Sequence, residues 1–107
     1  MNVISNHPIN CTIALAALEQ VNDPELGLNV VDLGLIYQID FDEPGNRIFV
    51  RMTLTTQFCP MGETLVAAVQ RALEGVFSGW DVQVELSFDP PWNHERISEK
   101  GKEFLNR

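Results

Sequence analysis

A chain of 107 residues with 45% apolar and 21% charged side chains has room for one domain and one core, and excludes a multidomain array or a wholly disordered polymer. Fifteen acidic against seven basic residues give a net charge of −8, which repels phosphate backbones and anionic lipid, so neither nucleic acid nor a membrane surface is an expected partner. Two cysteines, Cys11 and Cys59, are too few for a disulfide framework or a four-thiolate site, and they predict a reducing, cytoplasmic setting.

In chain order, residues 1–9 are polar and irregular and are expected as a loose lead-in to a single domain spanning 1–107. Asn10 or Thr12 can cap a first helix running to about Gln20, with Ile13, Ala14, Ala17, Leu18 and Val21 on one face. Its apolar run stops at Glu19 with no Lys or Arg before it, the pattern of a packed helix rather than a secretory leader. Asn22-Asp23-Pro24 ends it, because the residue before a proline is driven out of the α region. Between Glu25 and Gly34 a short turn of helix is expected.

Two strands with period-2 alternation follow. Leu35, Tyr37, Ile39 and Phe41 share one face of the first, and Ile48, Val50, Met52 and Leu54 share one face of the second. The turn Asp42-Glu43-Pro44-Gly45-Asn46 makes the pair an antiparallel hairpin. Thr55 to Cys59 is a polar loop, Pro60 suits a first helical position, and Met61, Leu65, Ala68, Val69, Ala72 and Val76 mark a helix ending near Phe77. Val82, Val84, Leu86 and Phe88 alternate with polar residues as a third strand, stopped by Asp89-Pro90-Pro91, where neither proline can donate to a ladder. A short final helix is expected from about Ser98 to Leu105. The order α-β-β-α-β-α predicts a two-layer α/β (α+β) domain, a three-stranded mixed sheet with helices packed on one face. A right-handed crossover through the Pro60–Phe77 helix makes the second and third strands parallel.

Cys59 is the most pointed residue. Just before a proline-started helix, its thiol would face the unpaired amides of the first turn, and the helix dipole there favours a thiolate, the form that attacks electrophiles and binds soft metals. A small buried cysteine filling a pocket would fit the same position. Cys11, inside an apolar helix, reads as core. Asp23 and Glu25 could bind a metal, act as acid and base, or cap their own turn, and the turn role is favoured. Trp92, after two prolines, either packs over the sheet end or anchors a partner. His94 reads as an exposed loop residue, and His7 suggests no role. No phosphate-binding loop, dinucleotide fingerprint, C-x-x-C or H-E-x-x-H is present.

Four segments occur in order: Asp23-Pro24-Glu25, Asn29-Val30-Val31-Asp32-Leu33-Gly34-Leu35-Ile36-Tyr37, Thr53-Leu54-Thr55 with Cys59-Pro60-Met61, and Asp89-Pro90-Pro91-Trp92. Together, over about residues 13 to 106, they resemble the metal–sulfur cluster biosynthetic family, long catalogued as a domain of unknown function. The likeness is to its stand-alone Suf-type accessory factors. The sequence has no cysteine-rich tail after Cys59, no fused nucleotide-binding domain and no His-Cys-Gly-His element. The resemblance implies a fold of the iron–sulfur cluster assembly type and a non-enzymatic role in maturing or delivering clusters to apo-proteins. It carries the family cysteine onto Cys59 as the metal-contacting residue, with Asp23, Glu25, Thr55 and Trp92 as binding residues. It further implies a transiently held iron–sulfur cluster, the cluster-assembly machinery and apo iron–sulfur proteins as partners, and a homodimer. An adaptor linking that machinery to its clients without metal chemistry is the alternative.

Overall fold

The computed structural model describes residues 3–24, 26–55 and 62–106. Its first strand, β1 (Ile4–Ser5), comes from the expected lead-in and runs parallel to β2 (Ile36–Asp42), with Ile4 opposite Gln38. Asn6 extends the pairing with its side chain: its amide donates to the Phe41 carbonyl at 2.9 Å, and its oxygen accepts from the Phe41 amide at 2.8 Å. Among the described residues the sheet therefore has four strands, not the expected three. A two-residue strand is too short to show any alternation, and its continuation is carried by one side chain.

Helix α1 (Pro8–Leu18) starts with proline at its first position and is capped by His7, whose Nδ1 accepts from the Asn10 amide at 3.2 Å. The expected caps are inside it instead, and the Thr12 hydroxyl donates back to the Pro8 carbonyl. Cys11, Ala14, Leu15 and Leu18 face the core while Ile13 is exposed. Periodicity could not choose this face, because Pro8–Leu18 carries no charged residue and is apolar nearly all round.

After α1 come a bridge between Asn22 and Asn29 and, among the described residues, an α-turn in which the Leu33 amide donates to the Asn29 carbonyl, the short turn of helix expected there. β2 pairs antiparallel with β3 (Arg47–Met52), as the turn composition predicts. A register shift between Ile36 and Gln38 leaves both Ile36 and Tyr37 buried. α2 (Gly62–Val76) packs on α1 and on β4 (Asp81–Leu86), which runs parallel to β3 as the crossover rule requires. Its core stripe is Leu65, Val69 and Leu73, whereas Val76, placed on the stripe from sequence, is exposed at the end of the helix. The sheet order is β1-β2-β3-β4. Ile48, Val50 and Met52 point into the core and Arg47, Phe49 and Arg51 point to solvent, so the sheet is covered on one face.

A short 3-10 turn (His94–Arg96) leads to α3 (Glu99–Leu105), capped by the Ser98 hydroxyl, which accepts from the Gly101 amide at 3.0 Å. Gly101 faces inward. A Cβ there would lie 2.8 Å from Ile97 Cγ2 and 3.2 Å from the Asp32 carbonyl, so glycine lets this helix lie against the 28–32 segment.

Candidate functional site

Two of the sequence segments singled out above clasp each other. The Trp92 indole donates to the carbonyl of the fully buried Leu33 at 2.6 Å. The Tyr37 hydroxyl donates to the Pro90 carbonyl at 2.7 Å. Arg96 donates from Nε to the Gly34 carbonyl at 3.2 Å, with its guanidinium carbon 4.1 Å from the centre of the Tyr37 ring. Gly34 has φ +75°, and a Cβ there would fall on the Arg96 carbonyl, so only glycine lets this segment lie so close to the 3-10 turn.

A second joint lies one turn away. The Asp32 carboxylate accepts from Asn29 Nδ2 at 2.7 Å through one oxygen and from the Ser98 hydroxyl at 2.8 Å through the other. The Asn29 side chain in return accepts from the Asp32 amide, and the Ser98 amide donates to the Asp32 carbonyl. Asp32 is 9% exposed, so its charge is held by hydrogen bonds within the protein rather than by water. The serine that caps α3 is thereby tied to the 29–33 turn.

Asp23 is 4% exposed. Its Oδ1 accepts from the Leu26 amide at 3.3 Å, its carbonyl from the Gly27 amide and its own amide donates to Leu28, so the carboxylate organises its turn as the sequence favours. Thr55 is half-buried, just past Thr53, whose amide extends the sheet by donating to the Leu35 carbonyl. Gly62, the first residue of α2, presses on Leu54: a Cβ there would be 2.8 Å from Leu54 Cδ1. The end of β3 and the start of α2 are thus held side by side, flanking the stretch that contains Cys59. Cys59 and Glu25 themselves lie outside the described residues. Among the described residues no group of three or more His, Cys, Asp and Glu side chains could hold a metal ion, no helix is long and apolar enough to cross a membrane, and no hydrogen bond joins Thr55 to Trp92.

Trp92 is half-buried and its polar atom is engaged inside the chain, with its ring 5.2 Å from that of the exposed His94. Of the two roles open to it from sequence, packing is the one realised in these contacts. Cys11 is a buried free thiol, as expected. Residue-by-residue reading missed Asp32, Tyr37, Arg96 and Ser98. Their partners lie 53 to 66 positions away, and no spacing rule reaches that far.

The chain belongs to a known family. The sequence pattern of the iron–sulfur cluster assembly protein family matches residues 13–86, and the chain is a member of that family. The Fe-S protein maturation auxiliary factor YitW of Bacillus subtilis is 41% identical over 88 residues, covering 82% of this chain and 85% of its own. The maturation auxiliary factor SufT of Staphylococcus aureus is 38% identical, covering 77% of this chain and 92% of its own. Among solved structures, a domain of unknown function from Bacillus anthracis superposes with a TM-score of 0.84 at 36% identity, covering 89% of this chain and 90% of its own. A conserved hypothetical protein from Thermotoga maritima gives 0.71 at 42% identity, covering 88% and 91%.

Proposed function

We propose that this chain is a non-catalytic accessory factor in the maturation of iron–sulfur proteins, with Cys59 as the thiolate that contacts the cluster or its components. The observation that carries the reading is the family match over residues 13–86, joined to likeness over most of the length of two maturation factors. The iron–sulfur cluster is then cargo, held transiently, because one thiolate per chain is a poor cage where clusters ordinarily take four. The partners are the cytoplasmic cluster-assembly machinery and apo iron–sulfur proteins.

The local frame supports this role for Cys59. It precedes Gly62 by three positions, and the start of α2 is pinned against Leu54. Helix amides without intrahelical partners, and the positive end of the dipole, favour an anionic sulfur near such a start. Asp23 and Thr55 contribute to the same reading as residues that shape the neighbouring turn and strand end, and Glu25 as a further carboxylate.

The test is complementation of cells lacking the gene, reading aconitase and other iron–sulfur enzyme activities. Wild type and Cys11→Ser restore activity and Cys59→Ser does not, at equal levels of folded protein. Equal rescue by all three would transfer the function to an adaptor without metal chemistry. Unchanged enzyme activities in the deletion strain itself would remove the maturation role.

A further inference from the structure

No side chain of residues 3–7 is buried, whereas Cys11, Ala14, Leu15 and Leu18 anchor the helix that follows. Ile4 pairs with Gln38 and Ser5 with Ile39, and Ile4 is 66% exposed. Beyond them the pairing passes to the exposed, doubly bonded carboxamide of Asn6. Backbone groups two residues apart on a strand point the same way. Phe41 points its amide and carbonyl at Asn6, so Ile39, paired with Ser5, presents its own to β1, while Asp40 and Asp42 bond to β3.

His7 joins this segment to the body of the protein. Its Nδ1 accepts the Asn10 amide as the cap of α1, so the ring proton sits on Nε2, which donates to Glu43 Oε1 at 3.0 Å. Pro8 holds His7 in extended backbone, φ −143°, and makes the change from strand to helix abrupt. At the other end Val3 forms one wall of a cavity of about 350 Å³, whose lining includes Gly34 and Arg96 of the clasp. The remaining apolar walls, Val31, Ile36 and Ile97, are buried and belong to the core.

We infer that residues 3–7 form a strap that opens as one unit about the His7–Pro8 junction while the rest of the chain stays folded, uncovering the β2 edge and this cavity. Segments open locally where few buried apolar contacts hold them and their hydrogen bonds lie near water. The strap meets both conditions. Its apolar ties are the half-buried Val3 and the edge of the His7 ring against Phe41, and its latch is polar, made by the exposed Asn6 and Glu43. Closed, it covers backbone groups that would otherwise leave β2 as a bare edge. Open, it leaves Ile39 and Phe41 unpaired and takes Val3 out of the cavity. The device stands independently of the role of Cys59.

Native-state hydrogen exchange of the whole chain, read amide by amide along a series of low urea concentrations, tests this. The Ile39 and Phe41 amides exchange about a hundredfold faster than those of Asp40 and Asp42. Their rates do not change with urea below the unfolding transition, because so small an opening exposes little surface, whereas those of Asp40 and Asp42 rise with it. Asn6→Ala speeds Ile39 by about tenfold, although the Asn6 side chain bonds to Phe41. Val3→Ala, which loosens the cavity wall, speeds Ile39 and Phe41 by one common factor of about five. Should Asn6→Ala fail to fold, the wild-type urea series and Val3→Ala still decide. If Ile39 and Phe41 share the urea dependence of Asp40 and Asp42, the strap unfolds only with the whole protein and the inference is overturned. An Ile39 amide indifferent to Asn6→Ala also overturns it, because the strand would then fray from its end rather than open as a unit.

Discussion

Replacing Trp92 by phenylalanine separates a clasp inside the chain from a docking side chain. The substitution keeps an aromatic ring but deletes the N–H that reaches the Leu33 carbonyl at 2.6 Å, and Leu33 is fully buried. A buried acceptor stripped of its donor costs about 1–3 kcal/mol. Trp92 is half-buried, so the smaller ring adds a loss of only about 0.5–1 kcal/mol in packing. The expected destabilisation is about 1.5–4 kcal/mol, a large fraction of the 5–15 kcal/mol typical of a domain yet within what a folded chain survives. For about 100 residues, each kcal/mol moves the melting temperature by about 4–8 °C, so a fall of about 6–30 °C is expected.

Urea unfolding followed by far-ultraviolet circular dichroism measures the change, with an unaltered m value showing that the native state is still compact. A Trp92→Phe variant within about 0.5 kcal/mol of wild type would refute the reasoning, since that is the ordinary range of a surface substitution. If that variant also lost client capture in a pull-down, Trp92 would be a docking residue after all.

Two glycine-to-alanine changes in helices are expected to act in opposite directions. Gly75→Ala, with nothing within 4 Å of the added Cβ, stabilises by about 0.5–1 kcal/mol in urea titration. Gly101→Ala gains the same propensity but forces a methyl to 2.8 Å from Ile97 and 3.2 Å from the Asp32 carbonyl, and overpacking of about 1–3 kcal/mol makes it destabilising overall. Asp32→Ala removes the acceptor shared by Asn29 and Ser98 and costs about 2–3 kcal/mol, with faster hydrogen exchange along α3 as its local signature.

Much of the fold was legible in local chemistry. The hairpin of β2 and β3 followed from period-2 alternation around a Pro-Gly turn, α2 followed from its apolar spacing, and α3 lies where a short final helix is expected. Regions where pattern alone could not decide were resolved by neighbours. α1 has no polar face to orient it, so its buried side was set by contact with β2 and α2. β1 is too short to alternate, and Asn6 carries its pairing onward through one side chain.

By itself the sequence determined the order of the main elements, the parallel relation of β3 and β4, the turn role of Asp23 and the family to which the chain belongs. These rest on short-range rules or on several segments read together. Only the tertiary structure decided why two of those segments carry a tyrosine, a glycine, an aspartate and a tryptophan. Tyr37, Gly34, Asp32 and Trp92 meet partners more than fifty positions distant, through backbone carbonyls and one buried carboxylate. Hydrogen bonds of that kind are fixed by which groups the packed elements bring together, and spacing along the chain does not reveal those.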